Sequence, residues 1–410
     1  MESCFNNAGE NRMPWIVMPL LIILALFSLG CESKETMDSA ESLPAAVFSS
    51  SQAEVAYQDG KAAYESEDYT IALEQFQPAA EGGHVEAQTN LGWMYALGQG
   101  VPQDNVKAVR WWRPAAEAGF TEAQHNLGWM HYKGKGVLQD NVEAVRWFTH
   151  AAEGGHTLAQ LNLGAMYFNG EGVPKDFEKT AYWFTQAAEA GDAKAKYNLG
   201  VMYDKGQGVL QDNVEAVRWY RQAAEAGVVE AQYSLGLMYG EGKGVSKDDT
   251  EAVRWYRKAA EAADREAQNT LGVMYARGWG VPQDDKESVH WYRKAAVAGD
   301  IDAQYNLGVM YDKGKGVPQD DVEAVRWWSQ AAEAGVPEAQ NSLAVRYFNG
   351  QGVLQDEVQA HKWYSLATAT STDNELKTFA SKSRDVVTSR LSAEQLVEAE
   401  LMARKWMSNH

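Results

Sequence analysis

Residues 84–119 read HVEAQTNLGWMYALGQGVPQDNVKAVRWWRPAAEAG, and this 36-residue frame recurs eight times without an insertion, ending at Ser371. Leu returns at 91, 127, 163, 199, 235, 271, 307 and 343, and Trp at 111, 147, 183, 219, 255, 291, 327 and 363. A period of this length marks stacked supersecondary units, not one globular core. Within the row, Ala87, Leu91, Met94 and Tyr95 stand at i, i+4, i+7 and i+8, one face of a helix, here called helix A. Ala108, Trp111, Trp112 and Ala115 stand at i, i+3, i+4 and i+7, a second amphipathic helix, helix B.

The segment between them carries both a stop and a start. Gly98 suits the left-handed position that ends a helix, and Asp104 suits an N-cap for helix B. Later rows place Glu three residues after that Asp, as in Asp140/Glu143, Asp212/Glu215 and Asp320/Glu323, which predicts a capping box. Gly92 lies beside the core Leu of helix A, where a missing side chain lets two helices approach. Neither helix buries its apolar face alone, so each pair must stack on its neighbours.

Working outward, residues 52–83 predict one more helix pair, Ala53–Glu65 and Tyr69–Glu81, which resembles a tetratricopeptide hairpin and caps the stack. At the other end the row decays, with Ala344 for Gly, Arg346 for Met and His361 for Val. Residues 372–410 supply two closing helices, over 374–389 and 392–408. The second opens on Ser392 and Gln395 and buries Leu396, Ala399, Ala403 and Trp406.

The row consensus EAQxNLGxMYxxGxGVxQDxxEAVRWYxxAAEAG is similar to the Sel1-like repeat, a tetratricopeptide relative with a longer loop between its helices. The resemblance covers residues 84–371, and Leu391–Trp406 resembles that family's terminal helix. It implies an all-α fold, a right-handed α/α superhelix or solenoid. It also implies an adaptor role: relatives recruit membrane complexes, regulate signalling, or bind host proteins when secreted. Some cysteine-rich relatives carry a disulfide in each repeat and are linked to penicillin binding. Here no row contains a cysteine, which counts against both properties.

Composition narrows the function further. The chain has 410 residues, 45% hydrophobic, with 15 Trp and 19 Tyr, enough to fill a core. Its formal charge of -19 repels phosphate backbones, so nucleic acid is not an expected partner. No Ser-x-x-Lys or Gly-x-Ser-x-Gly is present, no two of the eight His stand at i, i+4, and the Gly-x-Gly loops lack the third glycine of a dinucleotide fingerprint. The expectation is no enzyme, no cofactor and no metal. The recurring Asp residues are explained by capping, Arg146, Arg218 and Arg326 by pairing with a Glu three residues earlier, and the Trp111 row by core filling.

The first 30 residues hold an unbroken apolar stretch, Trp15 to Leu29, before Gly30 and Cys31. This reads as a secretion signal. Phe27-Ser28-Leu29-Gly30-Cys31 resembles a bacterial lipobox, which implies a lipidated Cys31. An uncleaved signal anchor is the alternative, and either reading puts the rest of the chain outside the cytoplasm, in the bacterial cell envelope or at the cell surface. Residues 31–51 read as a flexible tether.

What remains is one face of helix A whose occupants vary from row to row. In tetratricopeptide-like stacks this face lines the concave groove. Its candidate binding residues are Trp93, His125, Trp129, Tyr132, Leu161, Phe168, Tyr197, Tyr233, Tyr305 and Phe348. Aromatic residues favour such a role because they combine large area with few rotors. The expected function is a membrane-tethered scaffold that holds a protein or peptide. A secreted host-factor-binding effector, of the immunoglobulin-binding type, is one alternative, and a β-lactamase-like hydrolase is another.

Overall fold

The computed structural model describes residues 49–409, and every regular element among them is an α-helix. The signal segment, Cys31 and the tether as far as residue 48 lie outside the described residues. Two units divide the chain, one ending at Gln222 and the other beginning at Ala223.

The first unit is a series of helix hairpins: α1 (Ser50–Glu65) with α2 (Tyr69–Glu81), α3 (Val85–Leu97) with α4 (Asn105–Glu117), and α5 (Thr121–Lys133) with α6 (Asn141–Glu153). They are followed by α7 (Thr157–Asn169) with α8 (Phe177–Glu189), α9 (Ala193–Lys205), and most of α10 (Asn213–Glu225). The second unit takes the last turn of α10 and continues with α11 (Val229–Glu241), α12 (Asp249–Glu261), α13 (Arg265–Arg277) and α14 (Asp285–Val297). It ends with α15 (Ile301–Lys313), α16 (Asp321–Glu333), α17 (Pro337–Asn349), α18 (Glu357–Thr370), α19 (Asn374–Thr388) and α20 (Ala393–Asn409). Within each unit a helix packs chiefly on the helix before it and the helix after it, except that α19 and α20 both pack on α18.

Three devices that recur along the rows make this geometry, the second replaced by Ala344 in the last row. Gly98 closes α3 at φ 72°, ψ 34°, and its counterparts close each later helix A in the same left-handed conformation. Gly128 lies flat under Phe148, so a Cβ there would stand 2.7 Å from the Phe148 ring; the glycine sets how near helices A and B come. The Asp of each loop caps helix B, as Asp140 does by accepting from the Val142 and Glu143 amides at 2.9 and 3.1 Å.

The predicted capping box is not closed at these aspartates. The N-cap amide that Glu would receive is already spent: Asp140 donates to the His131 carbonyl at 3.0 Å, and Asp212 to the Tyr203 carbonyl at 3.0 Å. Glu143 turns outward instead and pairs with Arg146 at 3.0 Å, as Glu215 does with Arg218 and Glu323 with Arg326. Reciprocal boxes do form at Ser49/Gln52 and Ser392/Gln395. The first starts α1 at Ser50, so the last two residues read as tether are helical.

The core is the apolar row. Where one repeat meets the next, Ala144, Val145, Phe148, Ala151 and Ala152 of α6 meet Ala159, Leu163 and Met166 of α7. Burying each large side chain contributes about 1.5–3 kcal/mol. Trp147, Trp219, Trp255, Trp291 and Trp327 are buried, as the row predicts, while Trp183 is half-buried. In the closing helices Ala399, Ala403 and Trp406 are buried and Leu396 is half-buried.

Candidate interaction surface

The variable face of helix A is described separately in each unit. In the first, Trp93 is half-buried, edge-on to Trp112 at 5.3 Å, with its indole N–H 3.4 Å from a Glu122 carboxylate oxygen. Trp129 and Tyr132 lie 5.9 Å apart, and the Lys133 ammonium stands 4.9 and 4.7 Å from their ring centres. Burial and a hydrogen bond to Glu171 push the Tyr132 hydroxyl up to about 12. Phe168 meets Phe177 edge-on at 5.4 Å, and Tyr197 leans on Tyr220 at 5.8 Å.

Two residues expected on this face are packed differently. Leu161 is 3% exposed and belongs to the core around Phe184 and Leu199, so it lines no groove. Its aliphatic side chain is drawn into the seam between α7 and the hairpin that follows. His125 is stacked on His156 at 4.5 Å, leans on Phe148 at 5.6 Å, and lies 3.2 Å from the Asn162 amide nitrogen. Burial first, and His156 second, push its imidazole down to about 3. It is a neutral packing residue at ordinary pH.

In the second unit Tyr233 leans on Tyr256 at 5.5 Å and also touches the core around Leu271. Tyr305 is half-buried, and its carbonyl accepts from the Trp328 indole N–H at 3.2 Å. Phe348 is half-buried beneath the Arg390 guanidinium, 4.7 Å from its ring centre. Each of these rings is therefore half core and half surface; helix B backs Tyr233 through Tyr256, while Arg390 covers Phe348.

Three features escaped the sequence reading. Where it is His or Asp, the first residue of the row caps helix A: His84 and His156 accept from the Ala87 and Ala159 amides at 3.4 and 3.3 Å, and Asp192, Asp264 and Asp300 accept from the corresponding Ala amides at 2.7, 2.7 and 2.8 Å. An Asp three residues before the row's Ala was the available signal. Asp300 is the buried member, and burial pushes its carboxyl up to about 6. A Gln row ties helix A to the preceding helix B in every row but that of α9, where Lys196 stands, as where Gln124 donates to the Ala116 carbonyl at 3.0 Å. Finally, the second loop glycine rests on the previous repeat: a Cβ at Gly136 would strike the Asn105 carbonyl.

Among the described residues no group of three His, Cys, Asp or Glu lies close enough to hold a metal ion, and no helix is long and apolar enough to cross a membrane. The candidate site is a surface built by repetition, which defines a helical repeat protein of the tetratricopeptide-like class.

The Sel1 repeat profile matches nine consecutive segments from residue 49 to 369, and the chain belongs to that family. The first segment, 49–84, takes in the hairpin read above as a cap. A Sel1 repeat protein of Oxalobacter formigenes is 31% identical, covers 86% of this chain and 97% of its own, and superposes with a TM-score of 0.60. The c5321 protein, described as a protective antigen of uropathogenic Escherichia coli with an SLR fold, is 32% identical over 87% of this chain and 92% of its own, with a TM-score of 0.50. No curated protein matches the chain. Repeats of this kind are, in general, protein-interaction scaffolds.

Proposed function

We propose that this chain is a non-enzymatic scaffold, tethered outside the cytoplasm through a lipid on Cys31, that holds a protein or peptide along the variable face of helix A. The observation that carries this reading is the half-buried aromatic series: Trp93, Trp129, Tyr132 and Tyr197 in one unit, and Tyr233 and Tyr305 in the other. Rings held on one edge by helix B present area to a partner with little entropy left to lose on binding. The apolar stretch ending at Cys31 supports the tether, and likeness to a protein described as a protective antigen supports exposure to the outside.

A photo-crosslinking amino acid placed at Trp129 or Tyr233 in intact cells should capture one recurrent protein. Tyr197→Ala and Tyr233→Ala should each weaken that capture by about 1–3 kcal/mol in binding free energy while melting is nearly unchanged. Capture from the helix B face alone would overturn the assignment of the face. An unmodified chain beginning at Met1 by intact mass would remove the lipid tether.

A further inference from the structure

One cleft breaks the row pattern. It lies in the second unit between the C-terminal ends of α12 and α14, with α13 beneath it. His290, Arg293 and Lys294 form one wall, Ala263 and Val297 the apolar rim, and Gln268 lies in its lining.

Three of these positions depart from their sister rows. His290 stands where Arg110, Arg146, Arg218, Arg254 and Arg326 stand elsewhere. Val297 stands where Glu117, Glu153, Glu189, Glu225, Glu261 and Glu333 stand, and it is 74% exposed. Ala263 takes the place of a glycine at φ 67°, a conformation that L side chains rarely adopt, and so adds a methyl group to the rim. The result is the C-terminal turn of a helix that keeps Arg293 and Lys294 but has lost its carboxylate.

The side chains are positioned rather than free to wander. Arg293 donates to the Tyr311 hydroxyl at 2.9 Å, and the Lys294 ammonium lies 4.5 Å from the centre of the Trp291 ring. Among the described residues neither forms an ion pair with a carboxylate; Glu261, across the cleft, is the one acid in the lining. Gln268 is 6% exposed; its amide N–H is used on the Ala260 carbonyl at 3.0 Å, and its Oε1 has no partner.

We infer that this cleft binds an acidic peptide segment bearing an aliphatic side chain. Carboxylates of the segment face His290, Arg293 and Lys294, and its aliphatic side chain covers Val297 and Ala263. An anionic membrane surface would meet the acidic surface of the chain as well as this wall, which favours a short peptide over a phospholipid bilayer such as one of phosphatidylglycerol. In a chain of charge -19, a local basic wall selects an acidic partner that the remaining surface repels. The site lies on the helix B side and goes beyond the helix A surface proposed above.

The test is fluorescence anisotropy with the purified full-length protein. The probe is a fluorescein-labelled pentapeptide with one leucine and two glutamates between glycines. Val297→Glu and Lys294→Gln restore residues that sister rows carry, so both variants should fold and melt as the parent does. Each should weaken binding by about fivefold or more, by lost or reversed charge pairing. Lys313→Gln, which removes the same charge elsewhere, should leave binding unchanged, and a peptide with glutamines for glutamates should not bind. Absence of saturable binding would overturn the inference, as would equal weakening by Lys313→Gln. So would binding to phosphatidylglycerol vesicles that the peptide does not compete away.

Discussion

The repeat formed by α5 and α6 and the repeat formed by α17 and α18 share one frame and solve different problems with it. In the first, Met130 is 4% exposed between apolar neighbours, and Arg146 lies outside, paired with Glu143. In the second, Arg346 takes the Met position, ion-paired with Asp312 and Asp321, its guanidinium 5.4 Å from the Trp328 ring centre. Lys362 takes the Arg position yet is buried, 3.8 Å from the Trp363 ring centre and 3.6 Å from Glu333, which also receives the Trp406 indole N–H at 3.0 Å. A row position therefore prescribes an environment. The environment changes where α19 and α20, not another repeat, close the stack.

Exchanging the two solutions should give very unequal results. Met130→Arg puts a guanidinium into the interior repeat, where the counterparts of Asp312 and Asp321 are Ala96 and Asn105 and offer no carboxylate. Urea denaturation should show a loss of about 3 kcal/mol or more, the cost of an unpaired buried charge. A loss below about 1 kcal/mol would mean that the interior seam admits water.

His125 sharpens the comparison by pH. Its imidazole titrates at about 3 in the folded chain against 6.5 ordinarily, so the unfolded chain binds a proton that the folded chain refuses. Stability from this group is present above pH 6.5 and is lost as pH falls toward 3, amounting to about 2 kcal/mol by pH 5. His125→Tyr installs the residue of Tyr197, Tyr233 and Tyr305, and should remove that dependence when denaturation midpoints at pH 7.5 and pH 5 are compared.

Asp140→Ala should cost about 1 kcal/mol in thermal melting through the lost cap of α6, without altering capture of a partner. The smallest effect is expected for Arg346→Met, which returns the terminal repeat to the row residue. Asp312 and Asp321 lose their partner but are 24% and 34% exposed, so water can answer them while methionine restores apolar packing, and stability should change by about 1 kcal/mol or less. A loss as large as that of Met130→Arg would show that the ion pairs hold the last hairpin in place.

The repeat, both helices, their caps and the core Trp were legible because each rests on local chemistry repeated down the rows: a glycine at positive φ, an Asp before a helix, an apolar face. The unclosed boxes at Asp140 and Asp212 were not, because the competing acceptors, the carbonyls of His131 and Tyr203, come from the helix before the loop. Leu161 was misplaced for a related reason. Spacing assigns a residue to a face, but whether that face is open depends on the bulk of Phe184 on another helix.

Gly136 faces the Asn105 carbonyl, Gly172 that of Asn141, Gly208 that of Phe177, and in the other unit Gly280, Gly316 and Gly352 face Asp249, Asp285 and Asp321. Every such contact joins residues the same distance apart along the chain, so it straddles the period instead of closing within it. A block of 36 residues can be excised or duplicated from any starting point inside a unit, and each loop glycine will still meet a carbonyl of the right kind. Length is thereby free to vary in whole steps, with no junction that needs redesign.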